Sequence, residues 1–214
     1  RQINFEKSRI GIEGSSGLGY SGNELAGKFI AGNDFNYIMS HTAAIASTHQ
    51  YNVVSCTSKA VENGDIRLEN YAAVDLILGL EKFMPDAVNY YKSVTPTMQN
   101  KLSSYALSRG RMLVSGAYIG SDMTSNEEVD WLNKTLHVSY AGQIKTDSIS
   151  GVTGLGLNFD FCRTLNADHY ATTHADILQP TDNAFCAMTY SNGSSAAVAY
   201  NADNRKTFVM GFPF

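Results

Sequence analysis

Long apolar runs are missing from this sequence of 214 residues. No stretch reaches the roughly 18 apolar residues that a membrane helix needs, so no membrane span is expected. Basic runs are missing as well. The 16 basic residues are scattered among 20 acidic ones, for a formal net charge of -4. Without a continuous basic field to hold a phosphate backbone, nucleic acid is not an expected partner. Cysteine is scarce, with only Cys56, Cys162 and Cys186. An odd count in a long chain is no disulfide framework. One bridge, Cys162 to Cys186, stays open at this stage. Charged residues make up only 17% of the chain. The remainder is rich in Ser, Asn, Tyr and Gly, a composition that suits an exported protein, so a secreted, periplasmic or cell-surface location is expected.

What is present is globular. The hydrophobic fraction is 43%, and this length suffices for one α/β domain with a sizeable core. No linker divides it, so residues 1–214 read as a single domain. The chain opens at Arg1 and ends on the apolar VMGFPF, which suggests a piece excised from a larger polypeptide with neighbouring modules.

Residues 1–23 include GIEGSSGLGYSGN, a loop composition. A phosphate-cradling loop would need a Lys-Ser/Thr ending that is absent. No cofactor is expected. A helical stripe runs from Asp34 to Ala46, and His41 beside it reads as a satisfied boundary histidine. YNVVSC is a short β-type run. VDLILG and RMLVSG are continuously apolar, the habit of parallel strands covered on both faces. Between them, Thr95-Pro96 caps and opens a helix. Another helix is expected over Asn126–Leu136, with Ser125 as cap and Glu127 and Glu128 in its first turn. From Leu136 onward the texture turns to short β-like stretches, with NADNRK as a hairpin loop.

In an open parallel sheet, ligands sit beyond the carboxyl ends of the strands. GLEK follows the first apolar strand and GAYIGSD the second. Glu81, Ser115, Tyr118, Ser121 and Asp122 are therefore the candidate ligand-binding residues of a shared cleft. Gly116 and Gly120 flank Tyr118 in the outline of a nucleophile elbow, whose amides could hold an anion. Tyrosine, with a reference pKa of about 10, is a poor nucleophile there. His169 and His174 lie in NADHYATTHAD with Asp168 and Asp176. Their five-residue offset fits neither a helix face nor strand alternation, so no metal site is expected. His169 remains a candidate substrate contact. No residue is assigned a catalytic role.

VDLILGLEK, RMLVSGAYIGSD and the terminal AAVAY…KTFVMGFPF together resemble the class I glutamine amidotransferase-like domain of bacterial secreted "xanthan lyase"-like proteins. The resemblance covers about Tyr37 to Phe214. It implies a flavodoxin-like, three-layer α/β/α sandwich, with a mostly parallel sheet and antiparallel C-terminal strands. In that group the elbow residue is a cysteine with a histidine and a glutamate after a late strand. Here Tyr118 stands at the elbow and VMGFPF supplies neither partner, which implies that glutaminase chemistry is absent. The expectation is thus a non-glutaminase accessory domain binding carbohydrate or peptide at the strand ends. The alternative is a polysaccharide-processing hydrolase or lyase using Glu81, Asp122, Tyr118 or His169 in the same cleft.

Overall fold

A computed structural model describes residues 36–83, 92–108, 110–161 and 172–214, with the side chains of 36–40 excepted. The glycine-rich N-terminal segment, Cys162 and His169 lie outside these residues.

Helix α1 (Asn36–Ala46) leads into residues 51–57, which belong to no regular element. The strand expected over YNVVSC is thus not formed, and Val54 is exposed. Helix α2 (Ser58–Asn63) is capped by the Thr57 hydroxyl and ends on Gly64 at φ 86. Strand β1 (Val74–Gly79), helix α3 (Pro96–Leu107) and strand β2 (Arg111–Gly116) follow as the apolar pattern requires. Thr95 caps α3 by accepting from the Met98 amide. Helix α4 (Asn126–Trp131) opens with a capping box between Ser125 and Glu128, then widens into a π turn over Leu132–Leu136.

The remaining strands are β3 (Val138–Lys145), β4 (Gly151–Gly154), β5 (Leu157–Asp160), β6 (His174–Pro180), β7 (Phe185–Tyr190), β8 (Ser195–Ala202) and β9 (Arg205–Met210). The β8–β9 hairpin closes at Asp203 and Asn204, both at positive φ, within the expected NADNRK loop. This is the primed turn whose twist matches the flanking strands.

The main sheet has seven strands in the order β1-β2-β9-β8-β7-β4-β5, and β3 pairs with β6 in a separate two-stranded ribbon. Only β1–β2 and β2–β9 are parallel; the other four neighbouring pairs are antiparallel. The sheet also rolls. In a flat sheet β5 and β9 would lie about 19 Å apart, four strand spacings. Yet Phe159 of β5 has its ring centroid 6.3 Å from that of Phe212, just past β9. This curled, mostly antiparallel half-barrel overturns the expected flavodoxin-like, three-layer sandwich, and with it the amidotransferase-like resemblance. Continuous apolarity correctly marked two parallel strands. It said nothing about the five other strands of the sheet.

One face of the sheet packs Met112, Val114, Val198 and Val209 beneath Val61, Met98, Leu102 and Trp131 of the helices. The other face carries its own core, with Val152, Tyr190, Ala197, Met210 and Phe212. Buried Lys92 pairs with Glu128 across the helical layer. Burial pushes the Glu128 carboxyl up, but Lys92 and the Ser125 and Thr124 amides outweigh it and hold it below its ordinary value.

A depressed carboxylate stabilises the fold fully above its unfolded value of about 4.3, and that stability is lost as pH falls through the folded value. Glu128→Gln should therefore cost about 3–5 kcal/mol at neutral pH by leaving Lys92 unpaired. It should also flatten the acid limb of stability, as urea unfolding between about pH 3 and pH 7 would record.

Candidate functional site

Strands β1 and β2 are parallel neighbours, with Gly79 opposite Gly116. The Ala117 amide donates to the Gly79 carbonyl at 2.9 Å, so the two strand ends do share one location. The Lys82 ammonium sits 5.0 Å from the centroid of the Tyr118 ring. Glu81 is half-buried on the same turn, its amide donating to the Leu78 carbonyl.

The rest of the anticipated cleft is filled by the protein itself. Ribbon β3–β6 crosses the ends of the parallel strands, and its Asp176 is fully buried. One Asp176 oxygen accepts from the Gly120 amide at 2.7 Å, the Ser121 amide at 2.9 Å and the Ser121 hydroxyl at 3.2 Å. The other accepts from the Gln143 amide at 3.3 Å. The elbow amides thus hold an anion, but one supplied in cis. The approach is close enough to need glycine: a Cβ on Gly120 would lie 2.9 Å from that of Tyr140.

Asp122 points inward too. Its two oxygens accept from the Phe83 amide at 2.8 Å and the Ser93 amide at 2.7 Å, tying the segments after β1 to the elbow. Ser115 is wholly buried, and its hydroxyl has no hydrogen-bond partner. Among the described residues, no carboxylate or imidazole is hydrogen-bonded to the Tyr118 hydroxyl. Burial, and then the Asp176 charge, push that phenol above its ordinary value, the opposite of nucleophile activation. The accessory reading required an open mouth at the strand ends. With Asp176 and its ribbon in that place, the reading is set aside.

The large cavity lies elsewhere. It encloses about 690 Å3 around the edge of β1, bounded by α1 and residues 51–57. That is the usual size of a small-molecule site. His41 of α1 and Asp75 of β1 meet in its wall, Nδ1 to Oδ2 at 2.7 Å, while Nε2 donates to the Phe214 carbonyl at 2.8 Å. Burial lowers the His41 pKa, but the Asp75 hydrogen bond and charge and the Phe214 carbonyl together raise it above its ordinary value. The second Asp75 oxygen is buried and has no hydrogen-bond partner. One lone charge inside VDLILG was the available signal for this pair, and the long reach to α1 hid it.

Cys56 and Cys186 are free thiols. Among the described residues no group of three or more metal-ligating side chains occurs, and no helix is long and apolar enough to cross a membrane.

No protein family matches the chain, and no curated protein does. Solved structures do show similarity. A β-galactosidase from the Antarctic haloarchaeon Halorubrum lacusprofundi is 19% identical over 70% of this chain and 20% of its own, with a TM-score of 0.46. An exo-β-1,4-mannosidase from Opitutaceae bacterium strain TAV5 is 10% identical over 55% and 19%, with a TM-score of 0.40. A cytoplasmic protein from Salmonella typhimurium LT2 is 11% identical over 85% and 76%, with a TM-score of 0.48. The chain spans about a fifth of the length of the glycosidases it matches. At these scores the likenesses assign no activity.

Asp176 carries a carboxyl that burial pushes up, against the Ser121, Gly120 and Gln143 donors that pull it down. With a raised folded value, its contribution to stability is fully present below the unfolded value and is lost as pH rises through the folded one. Asp176→Asn keeps an oxygen for the elbow donors and removes the charge, so it should fold and lose that pH dependence. Asp176→Ala strands two buried amides and should cost about 3 kcal/mol or more in urea unfolding.

Proposed function

We propose that this chain is a carbohydrate-processing unit of the hydrolase or lyase class, with its saccharide held in the cavity beside β1. The observation that carries the reading is the unpartnered Asp75 oxygen in the wall of a 690 Å3 cavity. A buried acceptor without a donor loses free energy, and a saccharide hydroxyl would supply that donor. Tyr51 and Tyr71 line the same cavity and offer faces to a sugar ring.

Within that reading Asp75 is the proton acceptor. His41 is a positioning residue: its Nδ1 fixes one carboxylate oxygen and leaves the other without a donor. Hydrolysis by paired carboxylates needs a second acid about 5–9.5 Å away. Among the described lining residues Asp75 is the one carboxylate. A single base favours proton abstraction from the sugar, the elimination chemistry of a lyase, over two-carboxylate hydrolysis.

A second place for the chemistry, the Glu81–Tyr118 turn, is favoured by the Lys82 ammonium over the Tyr118 ring. One assay separates the two. The chain is incubated with a polysaccharide panel, and new reducing ends and the ultraviolet absorbance of unsaturated products are followed together. Asp75→Asn should lower the rate about a hundredfold or more, while Tyr118→Phe and Glu81→Gln stay within about twofold. The reverse pattern moves the site to the turn, and silence across the panel ends the reading. The His41 pKa is raised above its ordinary value, so the charged pair persists to higher pH than a free histidine would allow. Rates should therefore fall as pH rises through that raised value.

A further inference from the structure

The cavity runs around the edge of β1, and part of its wall is the sheet face that carries Asp75, where strand register fixes which side chains lie together. Arg111 on β2 is the register partner of Lys206 on β9, and Lys206 is that of Asn201 on β8. Register partners point to the same face, so these three form one row across three strands. Two residues further on, Asp75, Leu113, Phe208 and Ala199 form the next row on that face. Arg111, Lys206 and Asn201 are exposed, and all three line the cavity.

Like charges side by side on a sheet destabilise it unless something neutralises them. Among the described residues neither Arg111 nor Lys206 forms an ion pair. The charge balance of the described lining is two cationic groups, Arg111 and Lys206, against Asp75. Asp75 is already engaged by His41 at 2.7 Å. An uncompensated cationic row thus borders an apolar platform formed by Leu113 and Phe208.

The geometry points to an acidic saccharide as the ligand: a sugar carrying a carboxylate, its ring over Phe208 and its anion on the Arg111–Lys206–Asn201 row. A guanidinium offers two parallel donors to a carboxylate, the ammonium adds a point charge, and the Asn201 amide adds a neutral donor. A neutral sugar would leave the two cations unneutralised. This inference rests on the cavity reading above and names its substrate class.

Isothermal titration of the whole chain at low salt, with tetragalacturonate and with neutral cellotetraose, tests it. Tetragalacturonate should bind at least about tenfold more tightly, and added salt should erode the preference. Arg111→Gln and Lys206→Gln should each weaken tetragalacturonate about tenfold and leave cellotetraose unchanged. Both side chains are exposed, so the fold should survive, with circular dichroism as the control. Equal binding of the two saccharides, or indifference to both substitutions, overturns the acidic-sugar assignment and leaves the cavity reading standing. Inorganic sulfate binding as tightly as tetragalacturonate marks a bare anion site and overturns the assignment too. Binding of neither saccharide removes the assignment and the cavity reading together.

Discussion

A buried carboxylate without a counter-cation organises one end of this molecule. Among the described residues, Asp176 has no lysine, arginine or histidine among its hydrogen-bond partners. It is held by two backbone amides, a serine hydroxyl and a glutamine side chain. Fixed dipoles of this kind can hold an anion where water is excluded, provided the donors are already in place. Here the elbow after β2 supplies them, and the ribbon β3–β6 supplies the charge. The same strand is stitched on its other side, where the Asp176 amide donates to the Gly211 carbonyl at 2.7 Å and Tyr190 donates to the Asp176 carbonyl at 2.7 Å. The mouth of the parallel strands is closed by these bonds, which leaves the edge of β1 as the open side.

That closure separates two roles often found together in α/β sheets. At the strand ends Asp122 clamps the Phe83 and Ser93 amides and Asp176 fills the elbow. The His41–Asp75 pair lies instead in the wall of the cavity beside β1.

Much of the local structure was readable from the residues. Near-continuous apolarity in VDLILG and RMLVSG marked two strands that do lie side by side, although β1 is an edge strand and only partly buried. Ser125 announced its cap, and NADNRK its hairpin. Each of those signals is contained within a few residues. What failed was long-range. Nothing in residues 138–145 or 174–180 says that they leave the main sheet to form a ribbon of their own. Whether an elbow amide meets a ligand or an internal aspartate depends on a side chain more than fifty positions away. His41 looked like a boundary histidine and is indeed fully bonded, but its partners Asp75 and Phe214 are remote in sequence.

The position of β9 has a kinetic consequence. Residues 205–210 stand third in the main sheet, between β2 and β8, and their parallel partner β2 was synthesised some ninety residues earlier. Contacts so distant along the chain are slow to form, because a long loop must close before any reward arrives. On the ribosome, β1 and β2 must therefore wait with one flank bare until nearly all 214 residues have emerged. Such a nascent chain presents an apolar parallel pair to its surroundings for the whole of that delay, and an unpaired apolar edge is a template for association with other chains.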